Sequence, residues 1–476
     1  MSGLIRFPFA VFATAVCAFS AAQVDRPVLT TQAIVGARIV QGAGRVIEKG
    51  TIVMRDGLIL SVGASVAVPA GAQVLDGTGL TVYPGFIDAG TSKGLKAPDA
   101  KPRQDTNPDI SQDVVTSMRP THVGIHADLI GAALFQPDDD TWKGYRSAGF
   151  TSVLAFPESG IFRGFASLIN VGGQPRRDSV VVQEAALGVN LNAPNGGVYP
   201  GTELGDFSVA RQTLMDAQWY KQWLGTYKSS GGKRPPDDAN LQELQGVLEA
   251  SVPSLFEVDD EARIIHDLDF ADQFKLRAIL LGAGEAYKRL DRIKASNAGV
   301  VLSLNFLPEP SPPVTPPPAP DPNKPAAPEP KKEEPKVDET AVKEGDDRVK
   351  ERERLWLEKA ANAGVLEKAG VPFAFTTRGT KSLSDFMANL RNAVKQGLTA
   401  DGALSALTLN AAKLIGVDRQ LGSIDQGKIA NVIVTSGDFL DEKTKVKFLY
   451  IDGRKIDPER TASPYSNRPN FGGEGL

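Results

Sequence analysis

Two stretches of strand-like sequence bracket a long region in which strands and helices alternate, and this bracketing constrains the fold more than any other feature. From Ala33 to Val82, β-branched runs (Ile34-Val35, Ala37 to Val40, Thr51 to Met54, Leu58 to Val62) are punctuated by glycine. Such runs favour short paired strands, and Asp56-Gly57 suits the positive φ of a tight hairpin. Past Pro84, apolar runs at Thr151 to Phe156, Ser254 to Val258, Arg277 to Leu281, Gly299 to Phe306 and Val371 to Thr376 read as strands. Amphipathic stretches lie among them at Leu204 to Leu224, Asp259 to Phe274, Glu285 to Asn297, Val349 to Ala369 and Lys381 to Gln396. That alternation predicts parallel strands joined by crossover helices. Between Gly422 and Lys455 strands return, at Ala430 to Val434 and Phe448 to Ile451, with a turn at Asp452-Gly453. The two ends of the chain therefore read as one β unit split around a barrel.

A chain of 476 residues, 41% hydrophobic and 23% charged, can bury a large core. Its formal net charge of -4 gives no long-range attraction to nucleic acid or an anionic membrane, so neither is an expected partner. The first residues predict a secretory signal: Arg6 is the positive end, Phe7 to Phe19 is mostly apolar, and Ser20-Ala21-Ala22 offers small residues for cleavage before Gln23. The apolar run is shorter than the roughly 20 residues of a spanning helix, so no membrane span is expected after cleavage. The chain is expected to be exported, to the periplasm or the outside. Cys17, the only cysteine, lies inside the signal, and Thr14-Ala15-Val16 before it lacks the small residue of a lipoprotein site. The mature chain would then have no disulfide, thiolate ligand or cysteine nucleophile.

Leu307 to Lys336 is rich in proline, alanine, lysine and glutamate. With so few large apolar residues it cannot offset the entropy of ordering, and it reads as an extended or disordered loop insertion. It leaves the C-terminal end of a predicted strand, the functional face of a (β/α) barrel. Proline-rich segments also serve as recognition ligands, which leaves partner capture as a second reading.

Val82-Tyr83-Pro84-Gly85-Phe86-Ile87-Asp88 resembles the entry to the first barrel strand of the amidohydrolase superfamily, where a Pro-Gly-Phe/Leu-Ile-Asp run leads into His-x-His. Leu421 to Val434 resembles that family's return strand, and the order of the two segments around an α/β pattern strengthens both. Ala148 to Val153 and Arg211 to Tyr220 are similar to the imidazolonepropionase-like branch. The resemblance spans about Gln32 to Lys455. It implies a TIM-type (β/α)8 barrel plus a small β-sandwich built from the N- and C-terminal segments. The implied divisions are a signal at 1–22, the first part of the sandwich at 23–83 and a barrel at 84–420 carrying the disordered loop 307–336. The rest of the sandwich follows at 421–457, then a tail at 458–476.

In working relatives the two histidines bind a divalent metal such as zinc, and an aspartate after the eighth strand binds metal and takes the proton of the attacking water. Here Gly90 and Ser92 occupy the histidine places, and Arg378, in Phe373 to Gly379, stands where the resemblance implies aspartate. Glycine has no ligand, and a serine hydroxyl is a poor one for zinc-like ions. A guanidinium stays protonated, cannot ligate a cation and repels a dication. No bound cofactor is therefore expected.

Only His122, His126 and His266 remain in the chain. His122 and His126 have the i, i+4 spacing that can set two imidazoles on one helical face, which makes them weak metal candidates, since Pro120 and Gly124 disfavour a helix and no accompanying glutamate completes a metalloprotease motif. His266 falls in a predicted helix. Glu257, at an apparent strand end, and Asp88 are candidate catalytic carboxylates, and either could pair with Arg378 in the space a metal would fill. Gly160 to Gly164 and Gly282 to Glu285 read as tight βα turns and not phosphate cradles. Asp138 to Asp140 reads as a solvated helix start, since it lacks an EF-hand pattern.

The family reaction is hydrolysis of non-peptide C-N bonds. The replaced ligands favour a metal-free pseudoenzyme that binds a small-molecule or anionic ligand at the barrel mouth, or a homologous active subunit. An active C-N hydrolase using other residues, with Glu257 or a histidine activating water, is the alternative. An envelope scaffold that recruits a partner through the proline-rich loop is the third.

Overall fold

The computed structural model describes residues 31–97, 124–137, 139–192, 200–306, 310 and 346–459. The predicted signal with Cys17, His122, Asp138, the proline-rich stretch apart from Pro310, and the tail beyond Glu459 lie outside the described residues. None of the helices among the described residues is long and apolar enough to cross a membrane.

Both ends of the chain meet in one sheet. β1 (Gln32–Gly42), β2 (Arg45–Arg55) and β3 (Leu58–Gly63) form an antiparallel meander. The other edge of β1 is shared in parallel by β4 (Gln73–Asp76) and β5 (Thr81–Pro84). From the far end of the chain, β14 (Val432–Thr435) pairs antiparallel with β5, followed by β15 (Val446–Ile451) and β16 (Arg454–Ile456). The expected two-layer sandwich is instead one hydrogen-bonded sheet of eight strands. Register shifts within β1 bend it, because an extra residue kinks a strand and increases its twist. The sheet curls over Ile34, Ile39, Ile52, Met54, Val82 and Val434. Ile59 N–H donates to the Lys428 carbonyl at 2.8 Å, tying the edge of β3 to the returning chain.

The second sheet is the barrel wall, in the order β6 (Phe86–Thr91), β7 (Phe150–Ala155), β8 (Phe162–Asn170), β9 (Val180–Val189), β10 (Ser254–Val258), β11 (Ala278–Gly282), β12 (Gly299–Ser303) and β13 (Phe373–Thr376). It departs from a regular (β/α)8 barrel at β8, which runs antiparallel to both neighbours. Only Phe156 to Ile161 links β7 to β8, far short of the dozen or so residues a parallel crossover needs. The segment Gly160 to Gly164, expected as a βα turn, is therefore the entry to a buried strand. Gly164, at φ +103°, lies where a Cβ would come within 2.6 Å of the Leu129 carbonyl oxygen. Elsewhere helices make the crossovers, among them α4 (Glu203–Ser230) and α6 (Glu261–Phe274), numbering all helices along the chain, and then α8 (Asp346–Ala369). The predicted helix start at Asp138 to Asp140 is the start of α2 (Asp139–Ser147).

Side chains alternate across each strand. Leu255 of β10, Ile279 and Leu281 of β11, Val301 of β12 and Ala374 of β13 fill the barrel interior. Phe256, Leu280, Val300 and Phe375 face the outer helices. The same parity carries Glu257, Ser303 and Thr376, each two residues further on, to the inside of the C-terminal rim. Between β13 and β6 the wall closes through side chains: Thr376 Oγ1 donates to the Gly90 carbonyl, and Thr377 N–H donates to Asp88 Oδ1 at 3.2 Å. A buried amide cluster fastens the barrel to the other sheet. Asn170 Nδ2 donates to Asp452 Oδ1 at 2.9 Å, and Asn431 Nδ2 donates to Asn170 Oδ1 at 2.9 Å.

Candidate functional site at the barrel mouth

A cavity of about 680 Å3 opens at the C-terminal ends of the barrel strands. This is the face where strand ends and loops of such barrels gather side chains. Four charges are in contact at its floor, three of them lining the cavity and the fourth, Arg163, buried behind Glu257. Arg378, just past β13, donates from Nε to Glu257 Oε1 at 2.9 Å, and its Nη2 lies 2.9 Å from the same oxygen. Arg163 of β8 is bound through Nη1 to Glu257 Oε2. Arg378 Nη1 also reaches Glu158 Oε1, at a longer 3.3 Å, and Ser92 Oγ donates to that same oxygen at 2.5 Å. Both guanidiniums lie over the Phe156 ring, with Arg163 5.9 Å and Arg378 5.4 Å from its centroid. The ring face adds a cation–π contact to each.

The charges balance because two guanidiniums face two carboxylates, and their exposures differ. The side chain of Arg163 is 4% exposed, those of Glu257 and Arg378 24%, and that of Glu158 65%. Burial pushes the Arg163 guanidinium below its usual range, against the Glu257 charge that supports it. The Ser92 hydroxyl and then the Arg378 charge hold Glu158 below the usual carboxylate range. Asp259, on the same wall, is raised by burial and by the neighbouring Glu257 charge. Lys93 and Lys359 stand exposed on the rim, and no carboxylate among the described residues pairs with either.

The structure thus brings Glu257, Ser92 and Arg378 together and sets Asp88 apart from them. Asp88 is fully buried and accepts from Gly90 N–H at 3.1 Å, Thr377 N–H and Thr377 Oγ1 at 2.5 Å. Thr377 Oγ1 in turn lies 2.9 Å from the Tyr145 hydroxyl. Burial raises Asp88, with the Thr377 hydroxyl the first of the contacts opposing it. Its place is the seam between the first and last strands, where it joins them. Gly90 packs so closely that a Cβ there would lie 2.7 Å from Leu281 Cδ1. The volume in which an imidazole would begin is filled by leucine.

The histidines stand elsewhere. His126 lies in irregular chain between Ile125 and α1 (Gly131–Leu134), and His122, the other weak candidate, lies outside the described residues. Its backbone N–H donates to the Phe162 carbonyl at 2.8 Å. His266 is on α6, half exposed, with Nδ1 3.8 Å from Glu203. Glu257, the candidate water activator of the alternative hydrolase reading, has both oxygens engaged by guanidiniums. Sequence reasoning missed Arg163, Glu158 and Asp259. An arginine flanked by Phe162 and Gly164 in an otherwise apolar run was the available signal for the first.

A divalent cation does not fit this donor set. Thiolate and imidazole are absent from the cavity lining, two of its three carboxylates are neutralised by arginine, and a dication would face the charge of Arg378. Among the described residues no group of three or more His, Cys, Asp or Glu side chains is arranged to hold a metal.

The fold and site define a barrel protein with a sheet shared by both chain ends, whose mouth is charged but poor in metal donors. Residues 334–456 match the Amidohydrolase family. An amidohydrolase from Thermotoga maritima MSB8 shares the fold over 89% of this chain and 99% of its own, with a TM-score of 0.68 and 21% identity. A prolidase solved with N-methylphosphonate-L-proline aligns over 90% of this chain and 100% of its own, with a TM-score of 0.50 and 15% identity. Adenine deaminase 3 of Rhizobium meliloti (strain 1021) is 36% identical over 89 residues. That segment is 17% of this chain, and it spans only 15% of the curated relative. Residues 334–456 are thus tied to the Amidohydrolase family, and the chain as a whole shares the fold of a solved amidohydrolase.

Proposed function

We propose that this protein is an exported, metal-free member of the amidohydrolase superfamily that binds a small polar ligand at the barrel mouth instead of hydrolysing one through a bound metal. The observation that carries the reading is the Arg163–Glu257–Arg378–Glu158 cluster on the cavity floor. Metal-dependent hydrolysis needs open ligands and a water whose proton has somewhere to go. Here the carboxylates at the cluster are ion-paired and the guanidinium can accept no proton. Leu281 packed against Gly90 supports the same reading, because reinstating a histidine would require the wall to move. Export rests on the N-terminal pattern around Arg6 and Phe7 to Phe19, and assignment to the imidazolonepropionase-like branch rests on the segments near Ala148 and Arg211.

The test is metal analysis of protein purified without chelators, together with hydrolysis assays on cyclic amides and aminopurines. Substoichiometric metal and no metal-dependent turnover are expected. One tightly held zinc per chain whose removal abolishes C-N hydrolysis would overturn the reading. A second reading keeps C-N hydrolysis without metal, favoured by Asp259, a cavity carboxyl raised by burial and outside the arginine pairs. The partial match to Adenine deaminase 3 is consistent with it. Turnover that survives chelation and is lost in Asp259→Asn would select it.

A further inference from the structure

Arg378 is incompletely used. A guanidinium has five N–H donors on two usable edges. The Nε/Nη2 edge is spent on a single Glu257 oxygen, with both contacts at 2.9 Å. On the remaining side Nη1 meets, among the described residues, only Glu158, at 3.3 Å, and Glu158 is 65% exposed and lies in the short loop between β7 and β8. The buried partner is firm and the outer partner is loose. Removing Glu158 from the cluster would leave two guanidiniums against one carboxylate, with Lys93 beside them on the rim.

We propose that the barrel mouth recognises a small molecule through a carboxylate, which takes the Nη1 side of Arg378 by displacing Glu158, an internal stand-in for the ligand. This deepens the metal-free binding reading and rests on it. A planar carboxylate can bridge Nη1 and the outer N–H of Nη2, a two-point contact that Glu158 at its present distance does not make. The Ser92 hydroxyl, now donated to Glu158, becomes available to the ligand's second oxygen. The Lys93 ammonium on the rim supplies a further positive charge. Glu158 thus keeps the empty site neutral and competes with any incoming anion, which sets a threshold of affinity for occupancy.

The experiment is a ligand-detected NMR titration of the full-length mature protein with acetate as the probe and acetamide as its neutral counterpart. Acetate should saturate a site while acetamide does not. Glu158→Gln removes the competing charge and should tighten acetate binding about tenfold, the effect of one charge-assisted contact. Arg378→Gln should abolish saturation, with thermal unfolding recorded to establish that the variant is folded. Because Glu158 is exposed, its substitution leaves the fold intact and carries the decision. Equal binding of acetate and acetamide, or unchanged or weakened acetate binding in Glu158→Gln, overturns the proposal. Metal content is measured on the same preparations: a metal-free protein that ignores acetate sinks this inference alone, whereas a stoichiometric metal sinks the reading beneath it.

Discussion

Replacing Glu257 by glutamine tests whether the cluster is a unit. The substitution keeps the shape of the side chain and one acceptor but removes the carboxylate that Arg163 and Arg378 share. At an effective dielectric near 20, two charges about 4 Å apart attract by about 4 kcal/mol before solvation is counted. Breaking a buried pair by removing one partner costs roughly 3–5 kcal/mol. Glu257 is 24% exposed and Arg378 retains Glu158, which places this loss near the lower end, about 3 kcal/mol. Arg163→Met leaves Glu257 with Arg378 and should cost about 1–2 kcal/mol. Because each substitution removes the same contact, the double variant should be less unstable than the sum, with a coupling of at least about 1 kcal/mol. Urea unfolding followed by tryptophan fluorescence reads all four corners of this cycle, provided the slopes match. A Glu257→Gln midpoint within about 0.5 kcal/mol of the parent, or strict additivity in the double variant, would refute the argument.

Other outcomes follow from the seam and the helices. Asp267, buried on α6, is pushed up to about 8 by burial. Since the unfolded chain ionises near the ordinary value of 3.8, the folded state holds the proton longer, and stability falls as pH rises between these values. Asp267→Asn should flatten that decline and exceed the parent in urea midpoint near pH 8; an unchanged slope across this window would exclude the assignment. Gly90→Ala should lose about 1–3 kcal/mol by overpacking against Leu281. Leu281→Ala in the same chain should recover part of that loss in the same unfolding assay, and failure to do so would place the strain elsewhere. Asn170→Ala, which takes the amide donor from the Asp452 carboxylate and leaves Asn431 Nδ2 with the Ser152 hydroxyl, should cost about 2–4 kcal/mol and loosen the two sheets, read as faster hydrogen exchange in β15.

The arrangement of the chain was legible wherever a strand or helix carries its own period. Ser254 to Val258 appears as read, and the predicted helices at Asp259 to Phe274, Val349 to Ala369 and Lys381 to Gln396 differ from the observed elements only at their ends. The antiparallel pair β8 and β9 was missed, because continuous apolar runs look alike whichever direction the strand takes. Direction is imposed by the length of the connection and by the neighbours that bury it.

At the mouth the division is sharper. Residue types alone determined that Gly90, Ser92 and Arg378 cannot supply imidazole or an acid-base carboxylate, since ligand chemistry is a property of the side chain. Which carboxylate would meet Arg378 was decided only by the fold. Strand parity turns Glu257 inward at the rim, and the wall closes on Asp88 and keeps it at the seam. The antiparallel β8 brings in Arg163, more than ninety positions away along the chain, to bind the far side of Glu257. Contacts between such distant residues depend on how the strands are ordered around the barrel, and a period read along one strand carries no information about that order.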